Sequence, residues 1–397
     1  MKKFKFILTI FLLLLIYSYV SFITLIPDNV ILLNNEKINF KNMPAITKIE
    51  TTMTSLNNSN VTNVEFRLFG KVLLKTSTIT KIEKIKVVPV GKIIGLKLYT
   101  DGVLVVGISE DEENNVEKES DINPGDIILE INGKLVKSIN TLKEIVNNSK
   151  GENLKLTIMR NGNILNTNII PTKIEGEKYQ LGLWVKDAAT GVGTMTFYEP
   201  DSKKFAILGH GITDSDTNKL IKIDYGDLVT AKVISLKRGV ENEPGEIKGT
   251  IINSQSIGKI NKNTQFGVFG ILNNLTSLNI DTSKAIEIAS RDEIKEGEAK
   301  IICSINTSNT PKEYKIEIQK IYKENDYNNK SMLIKIVDEE LLTETGGIIR
   351  GLSGAPIIQN NKFVGAVTNV LVSDPEIGYA VFADIMLKEV NKITPEN

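Results

Sequence analysis

From Gly176 to the C-terminus the chain is written in short apolar runs that alternate with polar residues and are cut every few positions by Gly, Asn or Asp. TGVGTMTFYEP, KKFAILGHGI, DLVTAKVISLKRG, GEIKGTIINS, TQFGVFGIL, KEYKIEIQKIY, MLIKIV, FVGAVTNVLV and GYAVFA carry the two-residue period of strands with one buried face. A helix is expected only near 382–393. So many close-spaced strands with turn punctuation bury their faces as β-barrels or as a sandwich. The 397 residues leave room for two or three domains. The 48 basic and 48 acidic side chains cancel, so charge favours neither nucleic acid nor an anionic surface as partner. One cysteine, Cys303, excludes an internal disulfide and most cysteine-based metal sites, and no metal or cofactor is expected. Any imidazole chemistry must use His210, the single histidine.

Lys2, Lys3 and Lys5 precede an uncharged apolar run from Phe6 to Ile26, long enough to span a bilayer and without a clear small-x-small cleavage site. Residues 1–27 read as a membrane anchor or signal segment, an uncleaved anchor being favoured over a signal peptide, with its lysines in the cytoplasm, so everything after Asp28 is expected outside it. Residues 28–84 are polar and Asn-rich, with short apolar runs such as VEFRLFGKVLL. They read as a weakly ordered linker with one or two strands, open to proteolytic nicking.

Between residues 85 and 175 the pattern sharpens. VVPVGKIIGLKLYTDGVLVVGIS predicts two strands around a hairpin at Asp101-Gly102, and LKLTIMRNGNILNTNIIP predicts two more around Asn161-Gly162. A helix-period stretch, SINTLKEIVNNS, lies between them. The run Asn123-Pro124-Gly125-Asp126-Ile127-Ile128-Leu129-Glu130-Ile131-Asn132-Gly133 resembles the GD-x-I-x-x-I-N-G stretch of PDZ domains. That resemblance implies a peptide ligand added as a strand to a sheet edge, its carboxylate capped by backbone amides. It places the binding loop at Gly95, Leu96, Lys97 and Leu98, where Lys97 departs from the usual small residue.

Two frames in the C-terminal half are suited to chemistry. Ser353 lies in TGGIIRGLSGAP between Gly351 and Gly354, and a serine between glycines can sit on a tight turn with the amides of Gly351 and Ser353 converging on an oxyanion. His210 lies in ILGHGITDSDT, also between glycines at the end of an apolar strand. Together they form an economical nucleophile and base for acyl transfer. A third group should hold the imidazole. Asp338, 15 residues before the serine, and Asp214 and Asp216, close after the histidine, are the candidates.

Residues from about Gly176 to Met386 resemble the SpoIVB peptidase family, serine peptidases of spore formation that carry an N-terminal membrane segment and a PDZ domain. The matching stretches are Gly191-Val192-Gly193-Thr194-Met195-Thr196-Phe197, Leu208-Gly209-His210-Gly211-Ile212-Thr213-Asp214, Thr345 to Pro356, and Val364-Gly365-Ala366-Val367-Thr368. The resemblance implies a mainly β chain in which a chymotrypsin-like double β-barrel occupies residues 176–397. It implies catalytic His210, Asp338 and Ser353 with an oxyanion hole at Gly351 and Ser353. The family usually has Gly-Met-Ser-Gly-Ser-Pro, where this chain has Leu352 and Ala355, so Ser353 is the only serine in the loop. A second histidine that often follows the family's VGAVT is replaced here by Asn369.

The resemblance further implies self-cleavage near the N-terminus and cleavage of a membrane-associated regulatory protein at the forespore envelope, which lets an intramembrane protease activate a sigma factor. The partners implied are protein or peptide substrates, that membrane regulatory complex, and a PDZ ligand such as the chain's own N-terminal region. Two other readings remain at this level: a general quality-control protease, which usually places the protease before the PDZ domain, and an inert anchored PDZ scaffold.

Overall fold

The computed structural model describes residues 85–109, 120–174, 176, 178–323 and 328–394, the strands at 29–33, 46–56 and 59–82, and scattered positions between 6 and 26. The expected anchor thus lies largely outside the described residues, and among those residues no helix is long and apolar enough to cross a membrane. The chain divides into two compact units, Met1–Ile85 and Lys86–Asn397.

In the first unit, β1 (Asn29–Leu33), β2 (Ile46–Leu56), β3 (Ser59–Leu68) and β4 (Val72–Ile82) form one sheet in the order β1-β4-β3-β2. Val64 and Phe66 on β3 alternate inward, meeting Leu74 and Ile79 of β4 in a small core. The region expected to be a weakly ordered linker therefore contains a sheet, because its scattered β-branched residues find partners across strands that sequence spacing does not reveal.

In the second unit, β5 (Lys86–Ile108) is a single 23-residue strand. The hairpin expected at Asp101-Gly102 is not formed: both flanking runs pair with other strands, and the chain passes straight through. A PDZ-like unit follows, built from β6 (Ile127–Ile131), β7 (Lys134–Leu135), helix α1 (Ile139–Asn148), β8 (Leu154–Arg160) and β9 (Asn163–Ile169). Its hairpin at Asn161-Gly162 forms as expected, both turn residues having positive φ. Ser138 caps α1 by accepting from the Thr141 amide at 3.1 Å. The helix buries Leu142 and Val146 against Val105, Ile128 and Ile158, each contributing roughly 1.5–3 kcal/mol. Asp126 of the Gly-Asp motif is buried and held bidentately by Nε and Nη2 of Arg160, at 2.8 Å each, so the motif serves the fold.

After a short ribbon of β10 (Thr172–Ile174) and β11 (Lys178–Gln180), β12 (Leu183–Tyr198) returns antiparallel along almost the whole of β5, from Leu183 opposite Ile108 to Tyr198 opposite Val88. The N-terminal half of β5 and the C-terminal half of β12 belong to a barrel. It is closed by β13 (Lys204–Ile207), β14 (Ile223–Lys237), β15 (Glu246–Thr264) and β16 (Gly267–Leu272), in the ring β5-β12-β13-β16-β15-β14. Leu96, Leu98, Met195, Phe205, Leu228 and Ile260 fill it. The PDZ-like unit is thus inserted between the first two strands of this barrel. Residues 86–100, expected within the PDZ domain, are a barrel strand, and residues 183–186, expected within the peptidase domain, still pair within the PDZ-like sheet.

A short strand, β17 (Ile286–Glu287), pairs with the start of β5 and leads to the second barrel. That barrel is closed in the order β18-β19-β20-β23-β22-β21, from β18 (Gly297–Cys303), β19 (Lys312–Ile321), β20 (Met332–Ile336), β21 (Pro356–Gln359), β22 (Lys362–Leu371) and β23 (Asp374–Phe382). Helix α2 (Glu339–Thr345) links β20 to β21, and α3 (Ala383–Asn391) is the expected C-terminal helix, packed on strands of both barrels.

Candidate active site

His210 and Ser353 line one cleft of about 950 Å³ at the junction of the barrels. His210 follows β13. The chain turns sharply there, with Leu208 at φ 61°. Gly209 lies so close to the second barrel that a β-carbon would stand 2.5 Å from Thr368 Cγ2. The histidine loop is pinned from β15 by Asn263, whose amide bonds the Ile212 amide and the carbonyls of Ile212 and Ile221 at 2.8–2.9 Å. The imidazole Nδ1 lies 2.9 Å from the carbonyl oxygen of Gly211. That oxygen can only accept, so the contact makes Nδ1 the protonated nitrogen and leaves the Nε2 lone pair free.

Ser353 stands on the loop between α2 and β21. Gly354 has φ 96°, and a β-carbon there would lie 2.4 Å from the Thr194 carbonyl of the first barrel. The Ser353 hydroxyl donates to the carbonyl of Thr368 on β22. Upstream, the Arg350 carbonyl accepts from the Ile247 amide at 2.8 Å, and the Gly351 carbonyl accepts from the buried Thr194 hydroxyl at 2.5 Å. In a planar trans peptide the N–H points opposite to the C=O, so fixing the Arg350 oxygen aims the Gly351 N–H away from β15. Among the described residues no acceptor pairs with the Gly351 or Ser353 amides, whereas Leu352, Gly354 and Ala355 each donate to a backbone carbonyl. Two free N–H groups beside a serine can stabilise an oxyanion.

The carboxylates expected to hold the imidazole are not brought to it. Asp338 is the N-cap of α2, one oxygen accepting from the Leu341 amide and the other from the Lys315 amide, both at 3.1 Å. Its placement follows from Asp-Glu-Glu preceding an apolar turn, a helix-start pattern that competes for the same carboxylate. Asp214 is buried and turned into its own loop, accepting from the Asp216 and Thr217 amides, the Thr217 hydroxyl and the Lys186 ammonium. Burial opposes its ionisation, but these donors outweigh it and hold the carboxyl below its ordinary range. Asp216 pairs with Lys186. No aspartate or glutamate is among the described residues that line the cleft.

Gly95, Leu96, Lys97 and Leu98 are also displaced from their expected role. They lie mid-strand in β5, paired on one edge with β12 and on the other with β14, which leaves no edge for a peptide. The free edge is elsewhere. Among the described residues, Leu183–Lys186 of β12 pair only with β5, and their other side faces α1 across a groove of about 450 Å³ lined by Ile139, Leu142, Val146, Leu181 and Trp184. Tyr179-Gln180-Leu181-Gly182-Leu183 has the same glycine-plus-aliphatic pattern as Ile94-Gly95-Leu96, so the signal was present twice in the sequence. The backbone groups that hold His210, Ser353 and Arg350, the carbonyls of Gly211 and Thr368 and the amide of Ile247, had no side-chain signal to find.

The family described as SpoIVB peptidase S55 matches residues 177–387, more than half of the chain, and the family described as PDZ domain matches residues 93–170. Among solved structures, the chain is similar to the PDZ domain of the SdrC-like protein from Listeria monocytogenes, at 22% identity over 22% of this chain and 90% of that one, with a TM-score of 0.19. It is also similar to the active form of the Rv3671c protease from M. tuberculosis, at 13% identity over 53% and 78% of the two chains, with a TM-score of 0.30. The HtrA-type protease AlgW with a decapeptide matches at 13% identity over 51% of this chain and 52% of that chain, with a TM-score of 0.29.

Proposed function

The chain belongs to the SpoIVB peptidase S55 family and is a serine peptidase with a PDZ domain, and we propose that Ser353 is its nucleophile and His210 its general base. The observation that carries this assignment is the meeting of the only histidine and a glycine-framed serine in one cleft, beside two amides that have no acceptor among the described residues. For reaction the Ser353 hydroxyl turns from the Thr368 carbonyl toward His210 and passes its proton to Nε2 as its oxygen bonds the substrate carbonyl carbon. The oxyanion rests on the Gly351 and Ser353 amides. The C–N bond then breaks, His210 returns the proton to the leaving amine, and water hydrolyses the acyl-enzyme with the same histidine as base. The Gly211 carbonyl holds the imidazole throughout, in the place where a carboxylate was expected.

The test is labelling with a fluorophosphonate probe and cleavage of protein substrate by wild type, Ser353→Ala and His210→Ala. Both variants should lose labelling and cleavage while keeping the wild-type circular dichroism spectrum. Labelling that survives in Ser353→Ala would remove Ser353 from the role.

In its cellular setting we read the chain as a sporulation peptidase, held by residues 6–26 with its peptidase outside the cytoplasm. Its substrate would be a membrane-associated regulatory protein whose cleavage triggers sigma-factor activation by an intramembrane protease. Supporting this are the family name and the lysine-flanked apolar N-terminus. The chain would also cut itself between residues 28 and 84. Incubating purified wild type beside Ser353→Ala and sequencing any new N-terminus tests self-cleavage; a terminus that appears equally in both ends the idea.

A further inference from the structure

Substrate selection at this site has its own structural determinant. A peptide whose scissile carbonyl oxygen rests on the Gly351 and Ser353 amides must send the side chain before the scissile bond between the two segments that flank the serine. These are Ile348–Gly351 and Thr368–Val370, and both line the cleft. The floor between them is already filled. Ile348 is 1% exposed, and its amide is fixed by a 2.7 Å bond to the Pro375 carbonyl. Its Cδ1 lies 2.4 Å from where a β-carbon on Gly378 would stand, so it occupies the space that the glycine leaves open. Gly378 is in turn the register partner of Val370 across β22 and β23, which puts a second branched aliphatic side chain, half-buried, on the same cross-strand pair. Arg350 is the one charged side chain in these two segments; it is exposed, and its backbone is bound to Gly245 and Ile247.

Resting on the assignment of Ser353 as nucleophile, we propose that Ile348 and Val370 close this subsite to a shallow, uncharged, aliphatic pocket. The enzyme then cleaves after small uncharged residues such as alanine, valine or threonine. An aromatic ring meets the Ile348 side chain before it is seated. A lysine or arginine finds no carboxylate, since none lines the cleft among the described residues. Deep apolar or acid-floored pockets in the same position of serine peptidases select large or basic residues, so what fills the floor decides the class accepted.

The experiment is cleavage profiling of the full chain on a peptide library randomised at the residue before the scissile bond, for wild type, Ile348→Ala and Val370→Gly. Wild type should favour alanine, valine and threonine. Each variant should raise kcat/KM for leucine or phenylalanine relative to valine by roughly tenfold or more, the scale on which a few methylenes are discriminated in an apolar pocket. A wild-type profile led by phenylalanine, tyrosine, lysine or arginine overturns the proposal, as does a profile that neither variant changes. Val370→Gly keeps the test open if the buried Ile348→Ala variant does not fold. Fluorophosphonate labelling of Ser353, read in parallel, separates the two levels: a labelled enzyme with a bulky or basic preference overturns the pocket alone. A chain that is neither labelled nor active overturns the nucleophile assignment, and the pocket proposal falls with it.

Discussion

The backbone N–H of Ile247 in the first barrel donates a 2.8 Å hydrogen bond to the carbonyl of Arg350 in the second. This contact sets which way the next amide, that of Gly351, points, so in the proposed mechanism the oxyanion site depends on a strand from the other barrel. Gly351 packs directly on Ile247, with φ 102° and room for no β-carbon: one would lie 2.8 Å from Ile247 Cβ. Gly351→Ala should therefore lower kcat by roughly 10²–10³-fold, the usual effect of losing one oxyanion donor, with a smaller change in KM. Steady-state kinetics on any cleaved peptide checks this; a loss confined to KM would remove Gly351 from the oxyanion role.

Asp338 is expected to behave as a helix cap. Asp338→Ala should cost about 1 kcal/mol of stability by urea titration, whereas Asp338→Asn, whose side chain still accepts from Leu341, should lose little. In kcat, Asp338→Asn should stay within about tenfold of wild type. A fall near 10⁴-fold is the signature of an acid that fixes the histidine tautomer, and it would restore Asp338 to the triad.

Asp214 links stability to pH. Its folded carboxyl is held below the ordinary value of 3.8, so the ionised form stabilises the fold. That contribution is fully present above the unfolded value, near pH 4, and is lost as pH falls through the depressed folded value. Asp214→Asn should be less stable than wild type at pH 7, and the gap should narrow as the pH falls below 4. Urea midpoints at pH 7 and pH 3 measure it; a gap that does not depend on pH would mean that the carboxylate charge is not what holds the loop.

Trp184, the only tryptophan, is 67% exposed at the rim of the groove between β12 and α1. A peptide selected from a library with free C-termini should shift its emission to the blue, and Leu142→Glu in the groove floor should weaken that binding at least tenfold, about 1.4 kcal/mol. Lys97→Ala, mid-strand in the barrel, should leave the affinity unchanged. If instead Lys97→Ala abolishes binding, the peptide site belongs to β5 after all.

Much of the architecture was legible because it is written in local pattern. The alternation from Gly176 onward announces barrel strands, the Asn161-Gly162 turn closes its hairpin, and SINTLKEIVNNS becomes α1. The frames around His210 and Ser353 were legible for the same reason, since glycines on both sides of a reactive side chain are a short-range signal. The reading erred where one segment had two possible partners. KIIGLKL is a good strand in either a PDZ domain or a barrel, and only its pairing with both β12 and β14 decides between them. Asp338 carries the signature of a cap and of a triad acid in the same residues, and spacing from the serine cannot separate the two.

By itself the sequence determined that this chain is mainly β, singled out one histidine and one serine as the candidate pair for acyl transfer, and carried short motifs that resemble a PDZ domain and a peptidase family. These are properties of residue type and short-range period. The tertiary structure decided that the PDZ-like unit is inserted between the first two strands of the first barrel, that the edge facing α1 belongs to β12, and that the Arg350 carbonyl is held by Ile247. It also decided that Ile348 fills the space beside Gly378 and that Gly211, through its carbonyl, holds the imidazole. Each of these depends on backbone groups or on contacts between distant strands, and a hydrogen bond from a main-chain amide leaves no mark on the identity of the residue that donates it.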